Sequence, residues 1–162
     1  MQSTLTLADA AATERLASAI APHLAPGDFL GLSGGLGAGK SLFARALIAT
    51  RLAALGRAEE IPSPSYTLVQ TYDLGTAELW HADLYRLGAP GEVVELGLDE
   101  ALERAIAIVE WAERLGEALP ARRLTLDLGF VPAVPDARTA TLTARGTGWD
   151  WLPATLRAAT PA

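Results

Sequence analysis

The chain has 162 residues and no cysteine, which excludes disulfides, zinc sites with cysteine ligands and thiol catalysis. Its net charge is −6, so the chain lacks the excess of basic residues expected of a protein that binds nucleic acid along the phosphate backbone. No uncharged apolar run approaches the roughly 18 residues that a membrane span requires. We therefore expect a single domain over residues 1–162 in the cytoplasm, with no membrane partner.

The N-terminal segment predicts a strand followed by a helix. Residues 4–8 are expected to form a short edge strand, and Asp9 suits the N-cap of the helix after it. Pro22 should kink this helix or end it early, because proline lacks the N–H that a helix interior uses. Apolar residues at helical spacing mark its buried face: Leu16, Ile20 and Leu24.

A glycine-rich loop follows, between a predicted strand and a predicted helix. Residues 29–33 form an apolar run that indicates a buried strand, and residues 42–55 carry apolar side chains at helical spacing. The sequence between them, Gly34–Ser41, fits the phosphate-loop pattern G-x-x-x-x-G-K-[ST]. A glycine-rich turn could fit this pattern by chance, but the flanking strand and helix favour a nucleotide site.

The chemistry of this loop suits a nucleotide with Mg²⁺. Flexible glycines let consecutive N–H groups curl into an anion-binding nest. Lys40, the only lysine in the chain, adds a charge for the β- and γ-phosphates, and Ser41 offers a hydroxyl to Mg²⁺. The residues expected to contact the nucleotide here are Gly35, Leu36, Gly37, Ala38, Gly39, Lys40, Ser41 and Leu42.

The middle of the chain predicts an irregular segment and then a β-hairpin. Residues 59–65 are not expected to be regular, because two prolines bracket Ser63 and bias their neighbours to extended geometry. Residues 66–72 and 77–84 alternate well enough for two strands, which a turn at residues 73–76 would join.

The second half predicts short helices and further strands. Residues 92–96 are expected to form one helix, and Asp99 is expected to cap another that runs through Leu102 and Ala105. The continuous apolar run at residues 105–109 is typical of a buried central strand. Two strands near a sheet edge and a terminal helix are predicted at residues 124–128, 139–143 and 149–159.

The order of these elements predicts an α/β fold. We expect a three-layer sandwich of the P-loop NTPase type, with a mixed, mainly parallel sheet and antiparallel additions.

Glu110 is the best candidate for a metal ligand outside the loop. It ends the apolar run at residues 105–109, which is the Walker B arrangement, and ligands gather at the carboxyl ends of such strands. The alternative is an ordinary polar residue where a strand reaches the surface. Trp111 follows, and its indole would pack against a ribose, a partner surface or the core.

His81 and Asp83 form a second cluster, because alternation within a strand points both side chains to one face. Asp83 would hold a metal-bound water or orient the nucleophile, with His81 behind it. Ser63 and Ser65 are candidates for a switch-like segment that reaches Mg²⁺ or the γ-phosphate. A Ser-His-Asp triad is a rival interpretation, although nothing resembles a nucleophile elbow.

Four motifs, in this order and spacing, resemble the TsaE (YjeE) family of small bacterial P-loop ATPases needed for the N6-threonylcarbamoyladenosine modification of tRNA. The motifs are GGLGAGKS at 34–41, PSPSYTLV at 62–69, HADLYRL at 81–87 and VEW at 109–111. The resemblance implies a P-loop α/β sandwich that binds ATP or ADP with Mg²⁺ and hydrolyses ATP slowly alone. It also implies association with the TsaD–TsaB pair, in which TsaD modifies adenosine 37, so that tRNA is engaged indirectly.

The resemblance also assigns roles to single residues. Lys40 would contact the phosphates, and Ser41 and Glu110 would hold Mg²⁺. Asp83 would be the catalytic, water-positioning acid and would also reach the metal. These roles make Lys40, Asp83 and Glu110 the expected catalytic residues.

Three further residues are assigned to the nucleotide by the resemblance. The adenine would lie near Ala10, Arg138 would approach the nucleotide, and Trp111 would lie at the active site or the partner surface. Three positions depart from the usual residues of the family without removing a required chemical group: Ser41 for threonine, Gly35 for aspartate and Ser65 for threonine.

Two other functions stay open at the level of the sequence. A small-molecule kinase would need an acceptor pocket, and no separate lid segment with arginines is evident in the sequence. A nucleotide-gated binding module would hydrolyse ATP only incidentally.

Overall fold

A computed structural model describes residues 1–88, 92 and 96–160. Its strands are β1 (Gln2–Leu7), β2 (Phe29–Gly34), β3 (Val69–Asp73), β4 (Glu78–Asp83), β5 (Ala105–Glu110), β6 (Arg123–Phe130) and β7 (Arg138–Arg145). Its helices are α1 (Ala10–Ile20), α2 (Lys40–Ala53), α3 (Leu98–Leu102) and α4 (Leu152–Ala159), with 3-10 segments at Ala21–His23 and Ala112–Ala118. None of the helices in these ranges is both long and apolar enough to cross a membrane.

The strands of the described residues form one mixed sheet in the order β1-β7-β6-β2-β5-β4-β3. The four central neighbours β6, β2, β5 and β4 pair in parallel, and β7 and β3 pair with them in the antiparallel sense. β1 pairs antiparallel to β7 and therefore runs in the same direction as the central strands. The predicted mainly parallel sheet with antiparallel additions is confirmed.

Each face of this sheet carries its own hydrophobic core, which makes the three predicted layers. On one face α1, α2 and α4 pack against β2, β5 and β6, with Phe43, Leu47 and Ile48 of α2 fully buried. On the other face α3 and the segment Ala112–Ala118 cover apolar side chains of β4 and β5. β5 is buried along its whole length, as its continuous apolar run predicts.

Most predicted elements of the N-terminal half are confirmed within a few residues. Asp9 caps α1 by accepting a hydrogen bond from the N–H of Ala12 at 2.8 Å. α1 ends at Ile20, two residues before Pro22, so Leu24 lies beyond the helix. β1 lies at the sheet edge, and β2 and α2 flank the glycine loop.

Two boundaries were predicted wrongly. The strand expected at residues 66–72 begins only at Val69, because a turn precedes it: the N–H of Leu68 donates to the carbonyl of Pro64, and Leu68 adopts a φ of 66°. Asp99 lies in the first turn of α3, whose N-cap is Gly97, and the helix ends at Leu102 before β5 begins.

Two other predictions have partial outcomes. The terminal helix begins at Leu152, three residues after the predicted start, with a proline in its first turn. The helix expected at residues 92–96 lies mostly outside the described residues, since residues 93–95 are not among them.

Tyr72 gives a test of the hydrophobic core on the α1 and α2 face of the sheet. Its hydroxyl is buried and has no hydrogen-bond partner among the described residues, and an unpaired buried hydroxyl is costly. We expect Tyr72→Phe to raise the free energy of unfolding by about 1 kcal/mol, measured by urea denaturation. Tyr66→Phe is the control, because Tyr66 is 82% exposed and should change little.

The pH dependence of the same variant has a definite sign. Burial raises the pKa of the Tyr72 hydroxyl, helped by the negative charge of Glu59. Above a pH of about 10 the unfolded chain therefore loses this proton first, so stability falls as pH rises toward the folded-state pKa. The Phe variant should lose less stability over that range, and an identical alkaline decline in both proteins would contradict the assignment.

Candidate functional site

A cleft of about 640 Å³ brings most of the predicted site residues together. Its walls are the glycine loop with the start of α2, the start of α1, and the ends of β4 and β5. The predicted residues that line it are Ala10, Leu36, Gly37, Ala38, Gly39, Lys40, Ser41, Leu42, Ser65, Asp83, Glu110, Trp111 and Arg138. Of the predicted nucleotide contacts, Gly35 does not line the cleft.

The backbone of the glycine loop requires glycine at two positions. Gly34 has a φ of 136°, and a Cβ there would lie 2.4 Å from the carbonyl oxygen of Leu128. Gly39 has a φ of 112° and is the N-cap of α2, without a side-chain cap. The first-turn N–H groups of α2 are thus left uncapped by any side chain, at the positive end of the helix dipole. This arrangement suits a phosphate group.

Lys40 lies against the same loop. Its ammonium donates to the carbonyls of Gly34 and Gly35 at 2.6 and 2.8 Å and sits 4.0 Å from the centroid of the Trp111 ring. Burial lowers the pKa of this amine, and the carboxylate of Glu110 acts in the opposite direction. The Lys40 ammonium and the uncapped N–H groups at the start of α2 therefore lie in the same cleft.

Glu110 lies at the centre of a buried line of hydrogen bonds. One carboxylate oxygen accepts from the Ser41 hydroxyl at 2.6 Å, and the other lies 2.7 Å from Nε2 of His81. Because a carboxylate only accepts, Nε2 of His81 carries the proton of this bond. Nδ1 of His81 has no hydrogen-bond partner within the described ranges. These two hydrogen bonds hold both carboxylate oxygens of Glu110, and one of them comes from Ser41 in the first turn of α2.

Asp83 occupies the matching position on the neighbouring strand. It is paired in register with Glu110 in the parallel pair β4 and β5, so both carboxylates lie at the carboxyl ends of these neighbouring strands. Its Oδ1 accepts from the N–H of Tyr85 at 2.9 Å, and its Oδ2 accepts from the hydroxyl of Ser65 at 3.1 Å. Ser65 is in turn 2.7 Å from the hydroxyl of Ser63. The proline-bracketed segment therefore reaches Asp83 through its serines.

Trp111 lines the cleft immediately after the end of β5. Its backbone is left-handed, with a φ of 58°, which is uncommon for a bulky residue. Its ring packs against Tyr85 with the ring centroids 5.0 Å apart. The indole is half-buried: it lines the cleft and also packs against the core formed by β4 and β5.

The oxygen donors fit Mg²⁺ arriving with a phosphate group. Within the described residues, no group of three or more His, Cys, Asp and Glu side chains could hold a metal ion by itself. Mg²⁺ is usually held by one or two carboxylates together with substrate phosphates, and it prefers oxygen ligands. The hydroxyl of Ser41 and the carboxylates of Glu110 and Asp83 supply that donor set.

Some residues of the cleft were missed by the sequence reasoning. Thr13 and Arg45 lie one helical turn after Ala10 and Ser41, so helical spacing could have found them. Asp136 reaches the cleft from the connection between β6 and β7, which no local pattern predicts.

Comparisons with known proteins agree on one family. A family model described as "Threonylcarbamoyl adenosine biosynthesis protein TsaE" matches residues 7–132. The tRNA threonylcarbamoyladenosine biosynthesis protein TsaE of Bacillus subtilis is 36% identical over 141 residues, which cover 86% of this chain and 84% of that protein. The protein of the same name from Rickettsia felis is 42% identical over 101 residues, which cover 62% of this chain. That match spans 57% of the Rickettsia protein, less than two thirds of its length.

A solved structure is similar over nearly the whole chain. The crystal structure of Bacillus subtilis YdiB aligns with a TM-score of 0.78 at 30% sequence identity. The alignment covers 99% of this chain and 97% of that one.

Mutation of His81 tests the buried hydrogen bond between His81 and Glu110. We expect His81→Ala to lower the free energy of unfolding by about 2 kcal/mol or more, because it opens a cavity and leaves the buried Glu110 one partner short. His23→Ala is the matched control: His23 is the only other histidine, is exposed, and stacks on Trp151. Urea denaturation of both variants checks this, and equal losses would contradict the proposed importance of the His81–Glu110 bond.

Proposed function

The chain belongs to the TsaE family, and from this premise we propose that it is a Mg²⁺-dependent ATPase of tRNA threonylcarbamoyladenosine formation. It acts on the TsaD–TsaB complex in the cytoplasm, engages tRNA through those partners, and does not transfer the threonylcarbamoyl group itself. The observation that carries this proposal is the meeting of the glycine loop, Ser41, Glu110 and Asp83 in one cleft.

Nucleotide binding is supported by the loop and by Lys40. The uncapped start of α2 offers N–H donors to phosphate oxygens, and the Lys40 ammonium lies on the loop carbonyls beside them. The cleft extends from the loop to Ala10 at the start of α1, which leaves room for the adenosine part of ATP. ATP and ADP are therefore the proposed ligands.

Hydrolysis is supported by the carboxylates of Asp83 and Glu110, which lie at the carboxyl ends of neighbouring strands. Bound Mg²⁺ supplies positive charge that neutralises the phosphate oxygens. Glu110, fixed by Ser41 and His81, keeps its donor oxygens in one orientation. Asp83 accepts hydrogen bonds on both oxygens, and we assign it the orientation of the attacking water.

Action through protein partners is supported by charge and by the surface around the cleft. A net charge of −6 is unfavourable for direct binding along a tRNA backbone. Several large apolar side chains stand exposed on the loop, beside the serine segment and near Arg138, which is typical of a protein-binding surface. They are Leu36, Tyr66, Tyr85 and Phe130.

Separating binding from turnover tests the assignment of Glu110. We expect Glu110→Gln to lower ATP turnover by roughly two orders of magnitude, because the charged metal ligand is lost. Binding should persist, and titration with a fluorescent ATP analogue measures it.

Two further variants complete that experiment. Lys40→Ala should lose turnover and weaken binding of a fluorescent ATP analogue, whereas Arg157→Ala, on the exposed side of α4, should match the wild type. Unchanged turnover in both Lys40→Ala and Glu110→Gln would contradict the site assignment. Phosphate transfer to a small acceptor faster than hydrolysis would favour a kinase instead.

A further inference from the structure

Arg138 donates hydrogen bonds to the backbone of the glycine loop. Its guanidinium donates four hydrogen bonds, all to backbone carbonyls: Nε to Ala38 at 3.1 Å, Nη2 to Gly37 at 3.2 Å, and Nη1 to Pro135 and Ala137 at 2.7 Å each. A guanidinium has five N–H groups, so one is left over. Four of the five N–H groups of this side chain are thus already bonded to backbone carbonyls.

The two bonds to the loop fix the direction of its peptide groups. In a trans peptide the C=O and the following N–H point in opposite directions, and the chain has no cis peptide among its described residues. A bond that holds the carbonyl of Ala38 on Arg138 therefore directs the N–H of Gly39 to the other side of the loop. The carbonyl of Gly37 is held likewise, and the N–H of Ala38 donates to Gly35 at 3.1 Å.

The sheet holds Arg138 itself in place. It is the first residue of β7 and is paired in register with Leu7 on β1 and Phe130 on β6. The ring of Phe130 lies 4.7 Å from the guanidinium carbon, in the range of a cation–π contact. The loop is thereby tied to strands that lie beyond β2 in the sheet.

We propose that Arg138 is a positioning residue of the phosphate loop: by holding the carbonyls of Gly37 and Ala38, it keeps the N–H of Gly39 open for a phosphate oxygen. The proposal rests on the proposed nucleotide binding, and it replaces the expected direct contact between Arg138 and the nucleotide. Arg138 holds these two carbonyls with two different nitrogens, Nε and Nη2, while Nη1 holds Pro135 and Ala137. The single nitrogen of a lysine has three N–H groups and cannot keep all four bonds.

The experiment compares Arg138→Lys and Arg138→Ala with the wild type. Inorganic tripolyphosphate and ATP are the probes, each titrated with Mg²⁺. Loss of two loop hydrogen bonds should weaken both probes by roughly tenfold or more in both variants. Arg145→Ala is the matched control, since it removes the same charge from the exposed end of β7 and should bind as the wild type does.

Hydrogen exchange of the nucleotide-free protein supplies a second readout. The N–H of Ala38, which donates to Gly35 within the loop, should exchange several-fold faster in both Arg138 variants, while the amides of α2 beyond its first turn should not change. This readout separates positioning from ligand contact, because a residue that only touches the nucleotide does not protect the free loop. It also separates positioning from a general loss of stability.

Three results would overturn the proposal. Full recovery by Arg138→Lys would indicate a simple charge effect on phosphate. Weakening of ATP without weakening of tripolyphosphate would indicate contact with the nucleoside. Unchanged loop exchange in the free protein would remove the positioning role. If the wild type bound neither probe, the proposed function would fail, and the exchange data would still decide whether Arg138 orders the loop.

Discussion

A phosphate loop must leave its N–H groups open on one side, and this requires that its carbonyl oxygens find partners on the other. Two cations meet this requirement here. Lys40 takes the carbonyls of Gly34 and Gly35, and Arg138 takes those of Gly37 and Ala38. These four bonds fix the directions of the peptide groups, so the conformation of the loop depends on both side chains. Arg138 begins β7 and Lys40 begins α2, so the loop is anchored to both elements.

The hydrogen bonds around Glu110 and Asp83 have a comparable effect on the part of the cleft where we propose that Mg²⁺ binds. Ser41 and His81 hold both oxygens of Glu110, while Ser65 and Tyr85 hold those of Asp83. Neither carboxylate needs to rotate into place when a ligand arrives, which favours a preorganised site. The bond from Ser65 also links Asp83 to the proline-bracketed segment, so a partner that moved this segment would act directly on the acid.

How much the sequence predicts depends on how local each feature is. The strand–loop–helix unit, the strand ending in Glu110 and the β3–β4 hairpin follow from short patterns, and each is confirmed in place. The late start of β3 depends on the left-handed turn at Leu68, and the position of Arg138 depends on β7 pairing with β6. Such features need contacts between distant residues, which periodicity and motif spacing do not contain. The nucleotide, metal and partner roles of the site residues stay predictions.

We propose that this chain supports tRNA modification by acting on the TsaD–TsaB complex. Multiple-turnover modification of tRNA by purified TsaD and TsaB, with a source of the threonylcarbamoyl group, tests it most directly. We expect modification to stop after about one turnover without this protein, to continue with it and ATP, and to stop again with Glu110→Gln. Continued turnover in its absence, or equal support from wild type and Glu110→Gln, would contradict the account.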